Sequence, residues 1–387
     1  MCEKLARGLA YVGFFLMPAF SLLRVYRNLS VSDVLIGGAF LLLLASQPRR
    51  ALFAILRNPL NLPVAIFLVG FLATFVISEV GAEQTMESLF SLTQLLFCIY
   101  AMTTVLFLCN VDAALAAIAT STAVLGVAAV LFLSGILGVG AFLHLWGRLS
   151  IRGLEPNQAA RVFFVGVVIM CFRWKKLRSW IFSGATVTCW LATVSRSGLL
   201  AFGSLVIPLF RRRPLFSLVA IGGACCCALL LSVGGTFSPL AGYTQGIAGA
   251  VQLADYSTID RLHQYRDGVE MMAQSPLVGR GMGVYPQGVA AVHNVFLGMQ
   301  VEIGLLGLLS FLLMYVIVFR IARGLESGFG MLNVLLVGTV LFDFFMAPTQ
   351  NRLFWLPFSL VLALYLQRLA GPGHRPPSTH ASTSTTR

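Results

Sequence analysis

Ten arginines make up the largest set of residues in this sequence with a clear chemical capability. They are Arg24, Arg27, Arg148, Arg152, Arg161, Arg196, Arg261, Arg266, Arg280 and Arg352. Because the guanidinium group is planar and permanently charged, arginine suits two-point binding of phosphate or carboxylate better than lysine does. The set therefore indicates an anion-binding site, although several members fit equally well as side chains that snorkel to water or meet anionic headgroups.

A second candidate is the pair His293-Asn294, which stands at the start of an apolar run. Histidine has an unperturbed pKa of about 6.5, so its imidazole can take a proton from a reacting hydroxyl near neutral pH. The pair also fits a structural role, since Asn294 suits the cap of a helix. The residues alone leave both roles open.

The eight cysteines lie in apolar segments or at the N-terminus, and none has metal-ligand spacing with a histidine. They are interpreted as small buried hydrophobic side chains. The sequence predicts neither a metal site nor an organic cofactor.

The elements that must position these residues are apolar. Of 387 residues, 58% are hydrophobic and only 11% are charged, against about 25% charged in an ordinary soluble domain. Apolar runs of about 16 to 25 residues recur along the chain, which excludes a soluble globule, a disordered chain, a fibre, a disulfide scaffold and a β-barrel. The sequence predicts an all-α polytopic membrane protein.

About twelve transmembrane helices are expected from length and apolarity. They cover residues 8–23, 31–45, 62–78, 88–109, 113–138, 158–172, 178–194, 197–210, 215–233, 295–319, 329–347 and 352–369. The positive-inside rule then places both termini in the cytoplasm, since 17 of the 27 basic residues fall inside, with dense clusters at 173–178 and 211–213. The ten remaining basic residues are the arginines above, on the outer side.

The spans divide the chain into four regions. These are an N-terminal part with spans one to nine (1–233), an outer loop (234–292), spans ten to twelve (293–370) and a disordered cytoplasmic tail (371–387). A loop of about 60 residues without a function would be unusual.

The outer loop contains a helical pattern. Ser257 begins a capping box, and apolar residues at helical spacing predict an amphipathic helix over 258–274, one face of which carries Arg261, Tyr265 and Arg266. Glycines at 279, 281 and 283 follow it, and a chain that turns tightly back into the membrane explains them sufficiently.

Two carboxylates fall within predicted spans. Glu302 lies about two turns into the tenth span and Asp343 lies deep in the eleventh. Each fits an interhelical hydrogen bond, and Glu302 also fits a group that polarises a neighbour. Their roles stay open.

The order of several short motifs resembles the O-antigen ligase and O-antigen polymerase superfamily. The motifs are Pro156-Asn-Gln-Ala-Ala160, Ser195-Arg-Ser-Gly198, Arg261-x-x-x-Tyr265, Ser275-Pro-Leu-Val-Gly-x-Gly-x-Gly283, His293-Asn294, Glu302-x-Gly304-x-x-Gly307 and Arg352-Leu-Phe-Trp355. Together they cover about residues 150 to 365. Two positions depart from the family pattern: Tyr265 stands at the usual tryptophan, and Arg280 stands where small or apolar residues are commoner.

The resemblance implies a GT-C-like membrane glycosyltransferase that takes a glycan from undecaprenyl pyrophosphate at the periplasmic face of the bacterial inner membrane. His293 would take the proton of the acceptor hydroxyl, and Arg196 and Arg261 would hold the departing pyrophosphate. The first outer loop has arginines and no acid, which favours an arginine clamp over a metal ion. Further substrate-binding candidates are Arg24, Arg27, Arg148, Arg152, Arg266 and Asn294.

The first hypothesis is an O-antigen ligase that inverts the anomeric centre, needs no metal and uses a lipid A core sugar as acceptor. Alternatives of the same fold are an O-antigen or exopolysaccharide polymerase, which would use another lipid-linked repeat unit or other glycan as acceptor, and a protein O-oligosaccharyltransferase. A transporter of lipid-linked glycans is disfavoured, because few ionisable residues lie in mid-membrane. Besides donor and acceptor, membrane lipids are the expected partners, and no nucleic acid is expected.

Overall fold

The computed structural model describes residues 1–26, 29–77, 82–136, 142–145, 148–152, 154–173, 177–193, 195–212, 256–282, 285, 291–326, 330–346 and 352–371. Within these ranges the chain is all-α apart from two short antiparallel hairpins, β1 (Arg24–Tyr26) with β2 (Leu29–Ser30) and β3 (Phe142–Leu145) with β4 (Arg148–Ile151). The predicted ninth span at 215–233, the loop before Tyr256 and all but Gly371 of the predicted tail lie outside the described residues.

The helices follow the apolar runs of the sequence. They are α1 (Cys2–Leu16), α2 (Val31–Ser46), α3 (Pro48–Leu56), α4 (Asn61–Ile77), α5 (Ala82–Leu96), α6 (Thr103–Leu108), α7 (Val111–Leu133), α8 (Pro156–Arg173), α9 (Leu177–Ala192), α10 (Arg196–Arg212), α11 (Tyr256–Gln274), α12 (Val295–Leu325), α13 (Met331–Asp343) and α14 (Arg352–Leu369). A short 3-10 turn, Met17–Ala19, follows α1, and a π-helical segment, Phe97–Met102, joins α5 to α6.

Among the described residues, three helical segments are long and apolar enough to cross a membrane, namely Ser88–Leu108, Val111–Leu133 and Val295–Leu325. The helices α2 and α3 would add a fourth span if they are counted as one, although the chain bends by 113° between them. Five further apolar helices in the described part of the chain have 10 to 17 residues. The all-α membrane class is thereby supported, whereas twelve spans remain a prediction.

Helix α12 is broken at Gly304, which has φ 71° and ψ −162°. The segment after α11 fills the break: the N–H groups of Arg280 and Gly281 donate to the carbonyls of Val301 and Glu302 at 2.9 and 2.8 Å. Backbone inside a membrane protein must be paired in this way, because lipid offers no hydrogen bonds. The loop therefore acts as part of the span.

Glycine is required where the two backbones meet. A Cβ atom on Gly304 would lie 2.3 Å from the carbonyl oxygen of Leu277, and one on Gly279 would lie 2.5 Å from the Gly304 nitrogen. Both glycines also have positive φ, 71° and 74°, which other residues rarely adopt. Tight turning and close backbone contact together explain these glycines.

Helix α4 holds the same loop from the N-terminal half of the chain. Its Gly70 lies against Ile303 and Leu306 of α12, each 3.1 Å from a Cβ placed on the glycine. The Thr74 hydroxyl donates to the Val278 carbonyl at 2.6 Å. The loop is thus fixed between two helices that are distant in sequence.

Candidate active site

The start of α8 organises the candidate site. Pro156 is the first helical residue, where its missing N–H costs nothing. The carbonyl of Glu155, one residue earlier, accepts a hydrogen bond from the Ala159 N–H at 3.0 Å. Three side chains in this region, those of Glu155, Asn157 and Arg161, each contact a different helix or helix start.

The first contact joins Glu155 to His293. Glu155 Oε2 lies 3.8 Å from His293 Nε2, with 58% of the glutamate side chain and 23% of the histidine side chain exposed. The other imidazole nitrogen, Nδ1, is buried and makes no hydrogen bond to any residue that the structure describes. The imidazole therefore presents Nε2, beside a carboxylate, as its accessible nitrogen.

His293 is held at the start of α12 by its backbone. The Tyr265 hydroxyl of α11 donates to the His293 carbonyl at 3.1 Å and lies 3.3 Å from the carbonyl oxygen of Phe344. Asn294 caps α12, since its Oδ1 accepts from the Leu297 N–H at 3.0 Å. The cap that the sequence predicts for Asn294 is therefore observed.

Arg261 lies close enough to Tyr265 for its charge to act on the tyrosine. Burial raises the pKa of Tyr265 above its ordinary value, and the nearby positive charge of Arg261 opposes this by a smaller amount. The tyrosine is therefore neutral, and its hydroxyl can donate a hydrogen bond to a carbonyl. Because α11 packs on α12 through Gly268, which lies against Val292 and Leu297, Arg261 belongs to the same region as His293.

The second contact of α8 fixes the start of α10. The Ser195 hydroxyl donates to Asn157 Oδ1 at 2.8 Å and accepts from the Gly198 N–H at 3.1 Å, so Ser195 caps α10. Arg196 is the first residue of this helix. Its backbone is therefore held beside the start of α8, although its side chain lies outside what the structure describes.

The third contact corrects the expectation for Arg161. The sequence places this arginine among those facing the outer compartment, but its side chain is only 1% exposed and pairs with Asp343 Oδ1 at 2.5 Å. The guanidinium carbon also lies 5.1 and 5.2 Å from the ring centres of Phe342 and Phe354. Two aromatic faces and a carboxylate stabilise the buried charge.

Asp343 thereby gains an explanation. It accepts hydrogen bonds from both Arg161 and the Tyr315 hydroxyl and so joins α8, α12 and α13. The next residue in the chain is Phe344, whose carbonyl lies near the Tyr265 hydroxyl. The buried cluster of Arg161, Asp343 and Tyr315 therefore anchors the chain segment on which α11 rests.

Glu302, like Asp343, is a buried carboxylate that accepts a hydrogen bond from a tyrosine. It is 5% exposed and accepts a hydrogen bond from the Tyr285 hydroxyl at 3.0 Å. Burial, reinforced by the charge of Glu302 and this hydrogen bond, raises the pKa of Tyr285 well above its ordinary value. Tyr285 therefore stays protonated and fastens the chain after the glycine turn to the broken part of α12.

The remaining candidate arginines are more dispersed. Arg24 and Arg152 are exposed, and Arg266 forms an exposed ion pair with Glu270 at 2.9 Å. Arg148 lies on β4, which packs against α8 and α9. Arg27 and the side chain of Arg148 lie outside the described part of the chain.

Glu155 is the member of the site that sequence reasoning missed. Its only local signal is its place directly before the Pro156 motif, where an acid is favourable for the helix dipole. The residues that the structure describes contain no group of three or more histidine, cysteine or acidic side chains close enough to hold a metal ion.

Comparison with known proteins bears directly on this geometry. A protein-family model described as O-antigen ligase matches residues 181–312, a range that includes Arg196, Arg261 and His293. Fold and match together define an all-α membrane protein with a ligase- or polymerase-type activity. The match confirms the resemblance seen in the motifs to the O-antigen ligase and polymerase superfamily. No curated protein matches it.

Proposed function

We propose that the protein is an O-antigen ligase of the bacterial inner membrane. It transfers a polysaccharide from undecaprenyl pyrophosphate to a hydroxyl of a lipid A core sugar, at the periplasmic face, with inversion and without a metal ion. The observation that carries the proposal is the pairing of His293 with Glu155. His293 lies within the segment that the family model matches, and Glu155 lies before it in the chain.

The acceptor hydroxyl must lose its proton as its oxygen attacks the anomeric carbon. His293 Nε2 takes this proton, because Nδ1 is buried. The imidazolium then faces the Glu155 carboxylate at 3.8 Å, and the opposite charge stabilises it. Glu155 is in this proposal a positioning residue, since it acts through the histidine.

The bond from the anomeric carbon to the pyrophosphate oxygen breaks as the new glycosidic bond forms on the opposite face. The electron pair leaves with the pyrophosphate, whose growing negative charge needs fixed cations. Arg196, at the start of α10, and Arg261, beside Tyr265, supply this charge. Loss of one such contact is expected to cost about 3 to 4 kcal/mol of transition-state stabilisation.

The lipopolysaccharide ladder of a strain that lacks the protein tests the proposal. Bare core together with accumulated polymeric lipid-linked glycan is the result expected for a ligase. Core that carries one repeat unit would instead identify a polymerase of the same fold. An unchanged ladder would exclude both, and complementation with the wild-type gene controls for effects on neighbouring genes.

A further inference from the structure

The exposed face of α12 leads from the apolar part of the helix to an arginine. Leu309, Leu312 and Val316 are 51%, 40% and 53% exposed. Their spacing of three and four residues puts them on one face of the helix, and Arg320, also exposed, continues it. In a membrane-spanning helix such a face lies against acyl chains.

The length of α12 is consistent with Arg320 at the level of lipid headgroups. Arg320 lies about 24 Å beyond the break at Gly304, at 1.5 Å per residue, and the turns before the break add to this length, whereas the hydrocarbon core of a bilayer is about 30 Å thick. The predicted orientation places this end of the helix in the cytoplasmic leaflet, where anionic lipids are concentrated. The position therefore matches a phosphate group and not an acyl chain.

A cavity of about 570 Å³ opens at this point between the last turns of α12 and α14. Its polar side chains are Arg320, Tyr365 and Arg368, and Leu325 and Leu369 line its apolar part. None of the residues that line it carries a carboxylate. The nearby Glu326 already accepts a hydrogen bond from the Leu332 N–H at 3.0 Å.

The charge of the cavity suits a monoanion. Arg368 Nη1 donates to the Gly324 carbonyl at 2.8 Å, which leaves its other N–H groups available. The Arg320 guanidinium makes no hydrogen bond or ion pair within the described ranges of the chain. Two guanidinium charges against about half a negative charge at each helix C-terminus leave about one positive charge.

We propose that this cavity binds the phosphodiester headgroup of an anionic glycerophospholipid, with the phosphate between Arg320 and Arg368. The acyl chains lie along the face formed by Leu309, Leu312 and Val316. The Tyr365 hydroxyl is available to the polar part of the headgroup. The site is separate from the proposed transferase centre, and its occupation does not depend on that activity.

Native mass spectrometry of the full-length protein, titrated with phosphatidylglycerol or with zwitterionic phosphatidylcholine, tests the proposal. The wild type is expected to bind phosphatidylglycerol preferentially. The double variant Arg320→Gln with Arg368→Gln should lose this preference by about tenfold or more, since it removes both positive charges that line the cavity. Arg320→Gln alone, at an exposed position, should lose part of it without any effect on folding.

Arg323→Gln is the matched control, because Arg323 is exposed on the same part of α12 but does not line the cavity. It should bind phosphatidylglycerol as the wild type does. An equal loss in Arg323→Gln would show diffuse charge attraction, and a wild type without preference would remove the site. Full displacement of the lipid by inorganic phosphate would show a free-anion site and overturn the lipid assignment.

Discussion

Glu155 and His293 bring the start of α8 to the start of α12, with Glu155 Oε2 3.8 Å from His293 Nε2. The carboxylate is more than half exposed, so water screens its effect on the imidazolium, and exposed pairs of this kind contribute about 0.2 to 1 kcal/mol. A pair of this strength tunes the histidine without being essential to it.

Glu155→Gln is therefore expected to lower the rate of transfer by no more than about fivefold. A loss of up to about 1 kcal/mol of transition-state stabilisation has this effect. The other polar groups around His293, Tyr265 and Arg261, are unchanged in this variant.

A radiolabelled transfer assay provides the measurement. Glu155→Asp should restore part of the wild-type rate, and Glu270→Gln, which removes an exposed acid of α11, should leave the rate unchanged. A Glu155→Gln enzyme with the wild-type rate would remove Glu155 from the mechanism while leaving His293 in place.

His293→Ala should reduce transfer by about 10² to 10⁴-fold, the usual contribution of a general base. The fold should survive, because the two contacts that hold this residue use its backbone carbonyl and the Asn294 cap. Membrane protein level and the lipopolysaccharide ladder are measured together. His263→Ala, at an exposed histidine of α11, is the control, and normal lipopolysaccharide from His293→Ala would contradict the assignment as base.

Arg196→Ala and Arg261→Ala should each lower the rate by about 10² to 10³-fold, as expected for loss of a contact to a developing negative charge. Lysine at either position should recover only part of the activity, because it lacks the two-point geometry. Arg173→Ala, at the opposite end of α8 and ion-paired with Asp112, should be active. Wild-type rates for both alanine variants would remove the arginine clamp, and activity lost in chelator but restored by Mg²⁺ would favour a metal.

The sequence could predict the local features of this site but not its tertiary contacts. The cap role of Asn294 follows from its place before an apolar run, and the helix predicted over 258–274 is found at Tyr256–Gln274. Arg161 and Asp343, by contrast, are 182 residues apart. No periodicity in the sequence shows which of the ten candidate arginines is buried, or that it pairs with Asp343. Glu155 and His293 meet for the same reason, through helix packing.

The break in α12 shows a second limit. Its apolar run is continuous, so hydropathy predicts an unbroken span from 295 to 319, whereas the chain leaves helical geometry at Gly304. In the sequence, Gly279 and Gly304 are the residues that could indicate this break. Only the structure shows that the two glycines face each other across a backbone contact.

Gly304→Ala is expected to destabilise the protein strongly. Positive φ alone costs a residue with a side chain about 1 to 3 kcal/mol, and the new Cβ would also meet the Leu277 carbonyl at 2.3 Å. Gly203→Ala is the control, since a Cβ there meets nothing within 4 Å in the middle of α10. Thermal unfolding in detergent separates the two, and an equally stable Gly304→Ala protein would show that the break is not required.

The buried pair of Arg161 and Asp343 makes a prediction about coupling. Arg161→Gln or Asp343→Asn alone leaves one polar or charged partner without its match, and breaking a buried pair costs about 3 to 5 kcal/mol. The double variant keeps a neutral hydrogen-bonding pair and should recover most of this loss. A double-mutant cycle of thermal stability measures the recovery.

The same variants test whether the pair of Arg161 and Asp343 supports catalysis only by holding other residues in place. Asp343 precedes Phe344, whose carbonyl lies 3.3 Å from the hydroxyl of Tyr265, which in turn holds His293. If the pair acts only through this chain of contacts, transfer activity should return in the double variant together with stability. A stable but inactive double variant would show instead that the buried charges themselves take part in the reaction.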